Sequence, residues 1–201
     1  MTPEQIDALA WDKQNGLIPA IIQDAGNGRV LMLGYMNREA LEATVATGLV
    51  TFWSRSRGEL WTKGQTSGHT LTLRGLEPDC DLDSLLVLAE PEGPTCHMGR
   101  ASCFPDAPAN FLADLDAVVA ARERTRPEGS YTTKLFDSGT KRIAQKVGEE
   151  GVEVALAAVG EEPSALLGEA ADLIYHLTVL LRSRGLSLAD AIETLKVRRH
   201  A

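Results

Sequence analysis

The chain has 201 residues, a formal net charge of -8, a hydrophobic content of 44% and a charged content of 24%. These values predict a folded protein of one large domain or two small ones, and they exclude a disordered chain. The acidic charge argues against general nucleic-acid binding, although metals and a few local basic residues can still bind a phosphorylated small molecule.

The N-terminal segment and the cysteines predict a cytoplasmic protein. Residues 1–12 lack the basic start and apolar run of a signal peptide, and we expect no apolar stretch long enough to cross a bilayer. Three cysteines cannot all pair within one chain, and a reducing compartment would keep them as thiols. We therefore expect no disulfide.

Short apolar runs alternate with turn signals between residues 17 and 88. The runs LIPAIIQ and VLMLGYM, and later VTFWSRS and LWTKGQ, predict β-hairpins. Residues 36–48 break this pattern, since Asn37 can cap a helix and Gly48 can end it. The first half therefore predicts a mostly antiparallel β domain with a helix, an α+β fold.

Helical periodicity replaces the strand pattern in the second half. Pro163 suits a first helical position, and Ser187 with Asp190 suits a capping box. This half therefore predicts an all-α helical bundle. We place the first domain at residues 1–113 and the second at residues 114–201.

Alternating carboxylates surround a cysteine in the run EPDCDLDSLL. In an extended strand, Asp79, Asp81 and Asp83 would share one face. Cys80 would then point to the other face. Gathered carboxylates repel each other unless a cation lies among them, and oxygen ligands suit Mg²⁺. Taken alone, the acidic triplet favours a solvated strand edge over a metal site.

The other two cysteines, Cys96 and Cys103, follow in the run GPTCHMGRASCF. Zinc prefers thiolate ligands, and three protein ligands leave a fourth position for water, whose pKa zinc lowers to about 7. Small buried hydrophobic cysteines would fit the same sequence. Because all three cysteines lie between positions 80 and 103, the metal interpretation and the structural one are equally good.

The runs GLIPAIIQD, VLMLGYMN, FWSRSR, LWTKGQTSGH, DCDLD and GPTCHMGRASCF resemble phosphoribosyl-AMP cyclohydrolase, an enzyme of histidine biosynthesis, over residues 9–104. The resemblance implies a homodimer that adds water across the N1–C6 bond of a purine ring and opens it. It also implies a Mg²⁺ site and a zinc site shared between chains. The implied ligands are Asp79, Asp81 and Asp83 for Mg²⁺ and Cys80, Cys96 and Cys103 for zinc.

Other residues of these motifs are candidates for the chemistry. His69 and His97 are candidates for proton transfer to N1, with a structural histidine as the alternative for each. A further set of residues are candidates for substrate binding. The alternative is that the arginines are merely solvated and that the tryptophan belongs to the core. This set comprises Arg55, Arg57 and Lys63 for the phosphate and Trp61 for the purine ring.

Carboxylates recur in the helical half, in KVGEEGVEVALAA and GEAADLIYHL. Glu149 and Glu153 are four apart and share a helix face, with Glu150 about 100° round the helix. Glu169 and Asp172 share a face of the next helix. Acidic helix faces are usually solvated, but apolar neighbours place this one near a helix-helix contact. Such a cluster suits Mg²⁺ bound to pyrophosphate, with one glutamate orienting a water.

The pattern EExxE followed by ExxD resembles MazG-type pyrophosphohydrolases, and PEGSYTTKLFDSGTKRIAQKVGEEGVEVALAA resembles phosphoribosyl-ATP pyrophosphohydrolase more closely, across residues 114–201. That family releases pyrophosphate and yields phosphoribosyl-AMP, the substrate of the first domain. The implied Mg²⁺ ligands are Glu149, Glu150, Glu153, Glu169 and Asp172, with Glu150 assigned to catalysis. Nearby basic residues that could contact phosphates, or be merely solvated, are Lys134, Lys141, Arg142 and Lys146.

Two resemblances that name consecutive steps of one pathway predict a bifunctional enzyme of histidine biosynthesis. Two alternatives stay open. The helical half could be a house-cleaning pyrophosphohydrolase for noncanonical nucleotides. Residues 131–135, which we expect to form a loop, argue against this because they match the histidine family. The N-terminal half could be a structural zinc module that only dimerises the chain. We expect phosphoribosyl nucleotides and a second copy as partners, and neither nucleic acid nor membrane.

Overall fold

The computed structural model describes residues 1–160 and 162–199. The chain divides into two compact units, an N-terminal unit, Met1–Asn110, and a helical unit, Phe111–Ala201.

Six strands build the N-terminal unit: β1 (Ile18–Asp24), β2 (Val30–Met36), β3 (Thr51–Ser54), β4 (Glu59–Thr62), β5 (Leu71–Pro78) and β6 (Leu85–Pro91). Four of them form a sheet in the order β2-β1-β6-β5, and β3 pairs with β4 in a separate hairpin. The β1–β2, β3–β4 and β5–β6 pairs are antiparallel, whereas β1 and β6 run parallel. The sheet is thus mostly antiparallel, as the sequence predicts.

Two α-helices and a 3-10 helix accompany these strands: α1 (Pro3–Asp7), the 3-10 helix Trp11–Gln14, and α2 (Arg38–Thr47). The Asn37 side chain accepts a hydrogen bond from the Ala40 backbone N–H at 2.8 Å, and Gly48 ends α2 with a φ of 71°. Both residues act as the sequence predicts. The short helix α1 was not predicted.

The core of the N-terminal unit lies on one face of the sheet. Side chains two apart in β1 and β6 are fully buried, as expected for strands with one face against a core: Ile18, Ala20, Ile22, Leu85, Val87 and Ala89. The Phe52 ring lies so close to Gly34 that a Cβ there would be 2.4 Å from the ring. Phe52 in turn stacks on Trp61 at 5.5 Å between ring centroids, which fixes Trp61.

Five helices form the described part of the helical unit: α3 (Phe111–Thr125), α4 (Tyr131–Asp137), α5 (Gly139–Gly160), α6 (Pro163–Arg182) and α7 (Leu188–Arg199). Helix α5 packs along α6. Buried apolar residues from α3, α4, α5 and α6 form its core: Val119, Leu135, Phe136, Ile143 and Val179. Pro163 begins α6, and Ser187 and Asp190 cap α7 reciprocally, as predicted.

Helix α4 corrects the expectation of a loop at residues 131–135. The Ser130 hydroxyl accepts a hydrogen bond from the Thr133 backbone N–H at 3.3 Å, and this starts the helix. Leu135 and Phe136 then pack into the core of the helical unit. A helix of seven residues is too short to show a clear periodicity in the sequence.

Helix α6 corrects a second expectation, that no apolar stretch is long enough to cross a bilayer. Within residues 1–160 and 162–199, α6 is the one helix that meets this test by length and composition, with a mean hydropathy of 1.3 over its most apolar window. The apolar residues of α6 form a longer stretch than the short apolar runs that are most evident in the sequence. The same length and composition are also typical of a helix that packs in a soluble protein.

Candidate active sites

Residues 79–84, called the acidic turn below, connect β5 to β6. The Asp79 carboxylate accepts hydrogen bonds from the backbone N–H groups of Asp83 at 2.9 Å and Ser84 at 3.1 Å, and Leu82 has a φ of 62°. The expectation of an extended strand is therefore wrong, because these bonds fold the segment into a tight turn. Folding of the turn brings the carboxylates together, and alternation along a strand plays no part.

Oxygen atoms of Asp79, Asp81 and Asp83 lie within 4.8 Å of one another. Hydrogen bonds from the Ser84 hydroxyl and the turn backbone lower the pKa of Asp79 to about 2. The Lys13 ammonium contacts the Asp81 carboxylate at 2.5 Å and the Asp83 carboxylate at 3.0 Å. A set of hard oxygen donors in one turn fits a divalent cation such as Mg²⁺. Lys13 lies far from the motif in sequence, and sequence reasoning missed it.

A cleft of about 610 Å³ lies on the N-terminal unit. Six of the predicted site residues line it: Trp61, Lys63, His69, Cys96, His97 and Cys103. The structure therefore brings two of the cysteines, both candidate histidines, one basic residue and the aromatic candidate to one place.

Two backbone anchors place the cleft cysteines. Cys96 lies in a turn closed by a 3.0 Å bond from its N–H to the Arg100 carbonyl, and the Cys103 N–H donates to the Leu31 carbonyl at 2.8 Å. The two thiols are within hydrogen-bond reach of each other. The Met98 backbone N–H lowers the pKa of the Cys96 thiol, whereas burial raises the pKa of the Cys103 thiol. Neighbouring thiols with one favoured as thiolate fit a zinc ion.

Cys80 lies apart from this pair. It is exposed on the acidic turn and does not belong to the described lining of the cleft. The structure thus separates the third predicted zinc ligand from the other two within the described part of one chain.

Two glycines hold His69 in the cleft. A Cβ on Gly64 would lie 2.3 Å from the His69 carbonyl carbon, and one on Gly93 would lie 2.4 Å from the His69 ring. Lys63 is buried and its ammonium donates to the His69 carbonyl at 3.3 Å. His97 is exposed at the cleft surface. His69 is therefore the more closely packed of the two histidines.

Arg55 and Arg57 lie outside the described lining of the cleft. The Arg55 guanidinium stacks over the Tyr35 ring at 3.7 Å, in a neighbouring depression that shares Trp61 with the cleft. Arg57 pairs with Glu59 at 3.0 Å. Their assignment to the substrate phosphate stays a prediction.

The helical unit has its own acidic cluster. Oxygen atoms of Glu150, Glu169 and Asp172 lie within 4.8 Å of one another, with Glu150 buried, Glu169 half-buried and Asp172 exposed. Glu150 comes from α5 and the other two from α6, so the packing of these helices creates the cluster. A buried carboxylate beside two others fits a site for Mg²⁺.

Glu149 and Glu153 differ in their relation to this cluster. Glu149 is engaged by Arg142 at 3.3 Å and by Lys146 at 3.1 Å, both on α5. Glu153 lies beside Glu150, whose carboxylate raises the pKa of Glu153. Lys146 also contacts Glu150 at 2.7 Å and lowers the pKa of that carboxyl group. The face that meets α6 is therefore centred on Glu150.

Sequence reasoning missed His176 and Tyr131 at this site. The Nδ1 atom of His176 lies 2.9 Å from the Asp172 carbonyl and 3.5 Å from the Glu150 carboxylate. Because a carbonyl only accepts hydrogen bonds, Nδ1 carries a proton, and in the neutral ring Nε2 accepts from the Tyr131 hydroxyl at 3.1 Å. The spacing of His176 four residues after Asp172 is a signal that the sequence does contain.

Each unit thus has its own carboxylate cluster, and the N-terminal unit adds a thiol-lined cleft, an arrangement typical of a hydrolase with two separate metal-dependent sites. A family model described as phosphoribosyl-AMP cyclohydrolase matches residues 32–105, and one described as phosphoribosyl-ATP pyrophosphohydrolase matches residues 112–199. The chain belongs to both families.

Proteins that join the two families share nearly the whole chain. The histidine biosynthesis bifunctional protein HisIE of Xanthomonas campestris is 63% identical over 195 residues, which cover 97% of this chain and 95% of the relative. The protein of the same name from Escherichia coli is 55% identical over 200 residues, covering 98% of both chains. The chain is therefore a bifunctional hydrolase of histidine biosynthesis, which confirms the predicted activities and the predicted two-part fold.

Proposed function

We propose that the helical unit acts first, releasing pyrophosphate from phosphoribosyl-ATP, and that the N-terminal unit then opens the purine ring of the resulting phosphoribosyl-AMP at N1–C6. The observation that carries this assignment is the match of both family models to one chain, each on a unit with its own cluster of ligand-type residues. The product of one reaction is the substrate of the other, so the order follows from the chemistry. We assign the first activity to the helical unit and the second to the N-terminal unit. The boundary predicted from the sequence, between residues 113 and 114, lies within α3, which begins at Phe111.

In the helical unit, Glu150, Glu169 and Asp172 would hold Mg²⁺, which neutralises the charge of the pyrophosphate group. The buried Glu150, kept ionised by Lys146, would orient water for attack on phosphorus. Glu153 lies beside Glu150 and extends the ligand set. Glu149 would join the set of metal ligands only after its ion pairs with Arg142 and Lys146 break.

In the N-terminal unit, Cys96 and Cys103 would hold zinc, which supplies activated water at neutral pH. His69 and His97 line the same cleft and are our candidates for moving a proton to N1. Trp61 presents a ring fixed against Phe52, and the buried Lys63 supplies a positive charge. The acidic turn would hold Mg²⁺ through Asp79, Asp81 and Asp83.

The third zinc ligand, Cys80, would come from a second chain, so that the enzyme is a homodimer. Two observations support this assembly. Cys80 is exposed and separate from the cleft lining, and large apolar side chains are exposed next to the cleft cysteines, with Met98 66% and Phe104 46% exposed. Thiol ligands require a compartment that keeps them reduced, which fits the cytoplasm.

Mass spectrometry of the products formed from phosphoribosyl-ATP, with Mg²⁺ and trace Zn²⁺, tests whether the chain catalyses both steps. We expect a ring-opened product one water heavier than phosphoribosyl-AMP. Accumulation of phosphoribosyl-AMP in the unsubstituted enzyme would favour the alternative in which the cysteines hold a structural zinc. Preference for noncanonical nucleotides over phosphoribosyl-ATP would contradict the assignment of the helical unit.

A further inference from the structure

Lys13 contacts two carboxylates of the acidic turn. Its ammonium lies 2.5 Å from the Asp81 carboxylate and 3.0 Å from the Asp83 carboxylate, and it also donates to the Asp81 carbonyl at 3.4 Å. The positive charge therefore lies among the oxygen atoms that would ligate a divalent cation.

The backbone fixes this placement of Lys13. The Ala10 N–H donates to the Leu82 carbonyl at 2.8 Å, which ties the start of the 3-10 helix Trp11–Gln14 to the middle of the acidic turn. The Trp11 ring N–H donates to the Ile6 carbonyl at 2.9 Å, and Leu82 packs against the core. Both segments are thus anchored, and the Lys13 side chain starts next to the carboxylates.

We propose that Lys13 is a tethered competitor of the divalent cation at the acidic turn: its ammonium pairs with Asp81 and Asp83 until a cation displaces it. The ammonium engages one oxygen of each carboxylate, and its charge lies where a cation shared by Asp81 and Asp83 would bind. Repulsion between the two positive charges therefore favours breaking both ion pairs when a cation binds. The ammonium thereby weakens cation binding and reduces the repulsion among the carboxylates of the turn. This inference rests on the proposed metal-binding role of the acidic turn.

A titration of the full-length chain with Mn²⁺, followed by electron paramagnetic resonance, tests the competition. The binding that disappears in Asp81→Asn identifies the acidic turn among the sites of the chain. We expect Lys13→Met to bind Mn²⁺ there about twofold to fivefold more tightly than the wild type, the range for an exposed ion pair.

Arg38→Gln is the matched control. Arg38 lines the same surface depression as Lys13, but its ion-pair partners are Asp7 and Glu42. Removal of this charge should change the affinity at the acidic turn by less than about twofold, since it breaks no contact with the carboxylates of the turn.

A second measurement follows Lys13 directly. Amine labelling of the wild type, read by peptide mass spectrometry, should show several-fold faster modification of Lys13 when Mg²⁺ is present, because the displaced ammonium is released. Lys196, which pairs with Glu193 on α7, is the internal control and should not respond.

The outcomes separate the two proposals. Equal Mn²⁺ affinity of Lys13→Met and the wild type, or equal tightening by Arg38→Gln, overturns the competition and leaves the metal site in place. Mg²⁺-independent labelling of Lys13 overturns it as well. Absence of Mn²⁺ binding at the acidic turn in both the wild type and Lys13→Met overturns the proposed metal role together with the competition.

Discussion

Glu149 and Glu150 are adjacent in sequence, but their surroundings differ. Glu149 is half-buried and engaged by Arg142 and Lys146, whereas Glu150 is buried against the carboxylates of α6. The sequence predicts an acidic helix face here, but not which glutamate it is centred on. That choice depends on how α5 is rotated about its own axis against α6. Neighbouring residues lie about 100° apart around a helix, and periodicity alone does not decide which of the two faces α6.

Glu150→Gln should abolish pyrophosphate release while preserving ring opening. The amide keeps the size of the side chain but loses the charge that would hold the metal and orient water, and we expect at least about a hundredfold loss of that activity. Phosphoribosyl-AMP supplied directly should still be opened at the wild-type rate. Glu193→Gln, on the exposed pair with Lys196, is the control and should retain both activities. A parallel loss of both activities in Glu150→Gln would contradict independent sites.

The Asp79–Ser84 hydrogen bonds make the stability of the N-terminal unit pH-dependent. They lower the pKa of Asp79 from 3.8 to about 2, so the stabilisation is complete above the ordinary pKa and is lost as the pH falls through about 2. Ser84→Ala removes the largest cause of this shift. The wild type should exceed Ser84→Ala in stability above about pH 4, and the difference should shrink between about pH 4 and 2.

Urea unfolding followed by tryptophan fluorescence, with a chelator present, measures this difference. The three tryptophans, at positions 11, 53 and 61, all lie in the N-terminal unit and report on it alone. The exposed Ser56→Ala should show no pH-dependent difference from the wild type. A Ser84→Ala effect that is constant down to pH 2 would exclude Asp79 as its source.

At the scale of elements, the sequence predicts those whose signals are local. The two hairpins, helix α2 with its capping residues, and helices α5 to α7 all follow from periodicity and caps within a few residues. Alternating Asp residues predict a strand at the acidic turn, but the same residues can close a turn through hydrogen bonds from side chain to backbone, and this is what the structure has. Helix α4 depends on Leu135 and Phe136 entering the core, which is a tertiary effect.

Asn37→Ala should lower the free energy of unfolding of the N-terminal unit by about 1 kcal/mol, the usual effect of losing a helix N-cap. The Asn37 side chain accepts from the Ala40 backbone N–H at 2.8 Å, and alanine leaves that donor without its partner. Asn37→Asp keeps an acceptor and should remain near the wild type. The same tryptophan-monitored unfolding checks both variants, and an equal loss in Asn37→Asp would argue against the cap.

At the scale of the whole molecule, the sequence names the ligand types but not their partners. Lys13 reaches carboxylates 68 and 70 residues further along the chain, and no local spacing predicts such a contact. Cys80 lies in the same part of the sequence as Cys96 and Cys103, yet the fold separates it from the cleft that they line. In the sequence itself, only the family resemblance points to a second chain as the source of the third thiol.

Co-expression of Cys80→Ala and Cys96→Ala chains tests the shared zinc site. Each variant alone should lack ring opening and bound zinc. A mixed dimer would retain one intact site, made of Cys80 from one chain and the cleft cysteines of the other. With random pairing, the mixture should show about one quarter of the wild-type ring opening. A mixture as inactive as its parents would indicate that each site is built within one chain.

The parallel pairing of β1 with β6 has a consequence for how the chain becomes structured. The second edge of β1 (Ile18–Asp24) can pair only with β6 (Leu85–Pro91), and the chain between the two strands must first close a long loop. The helical unit forms its contacts mainly between neighbouring helices. High contact order slows folding, so the N-terminal unit, although synthesised first, should complete its folding more slowly than the helical unit.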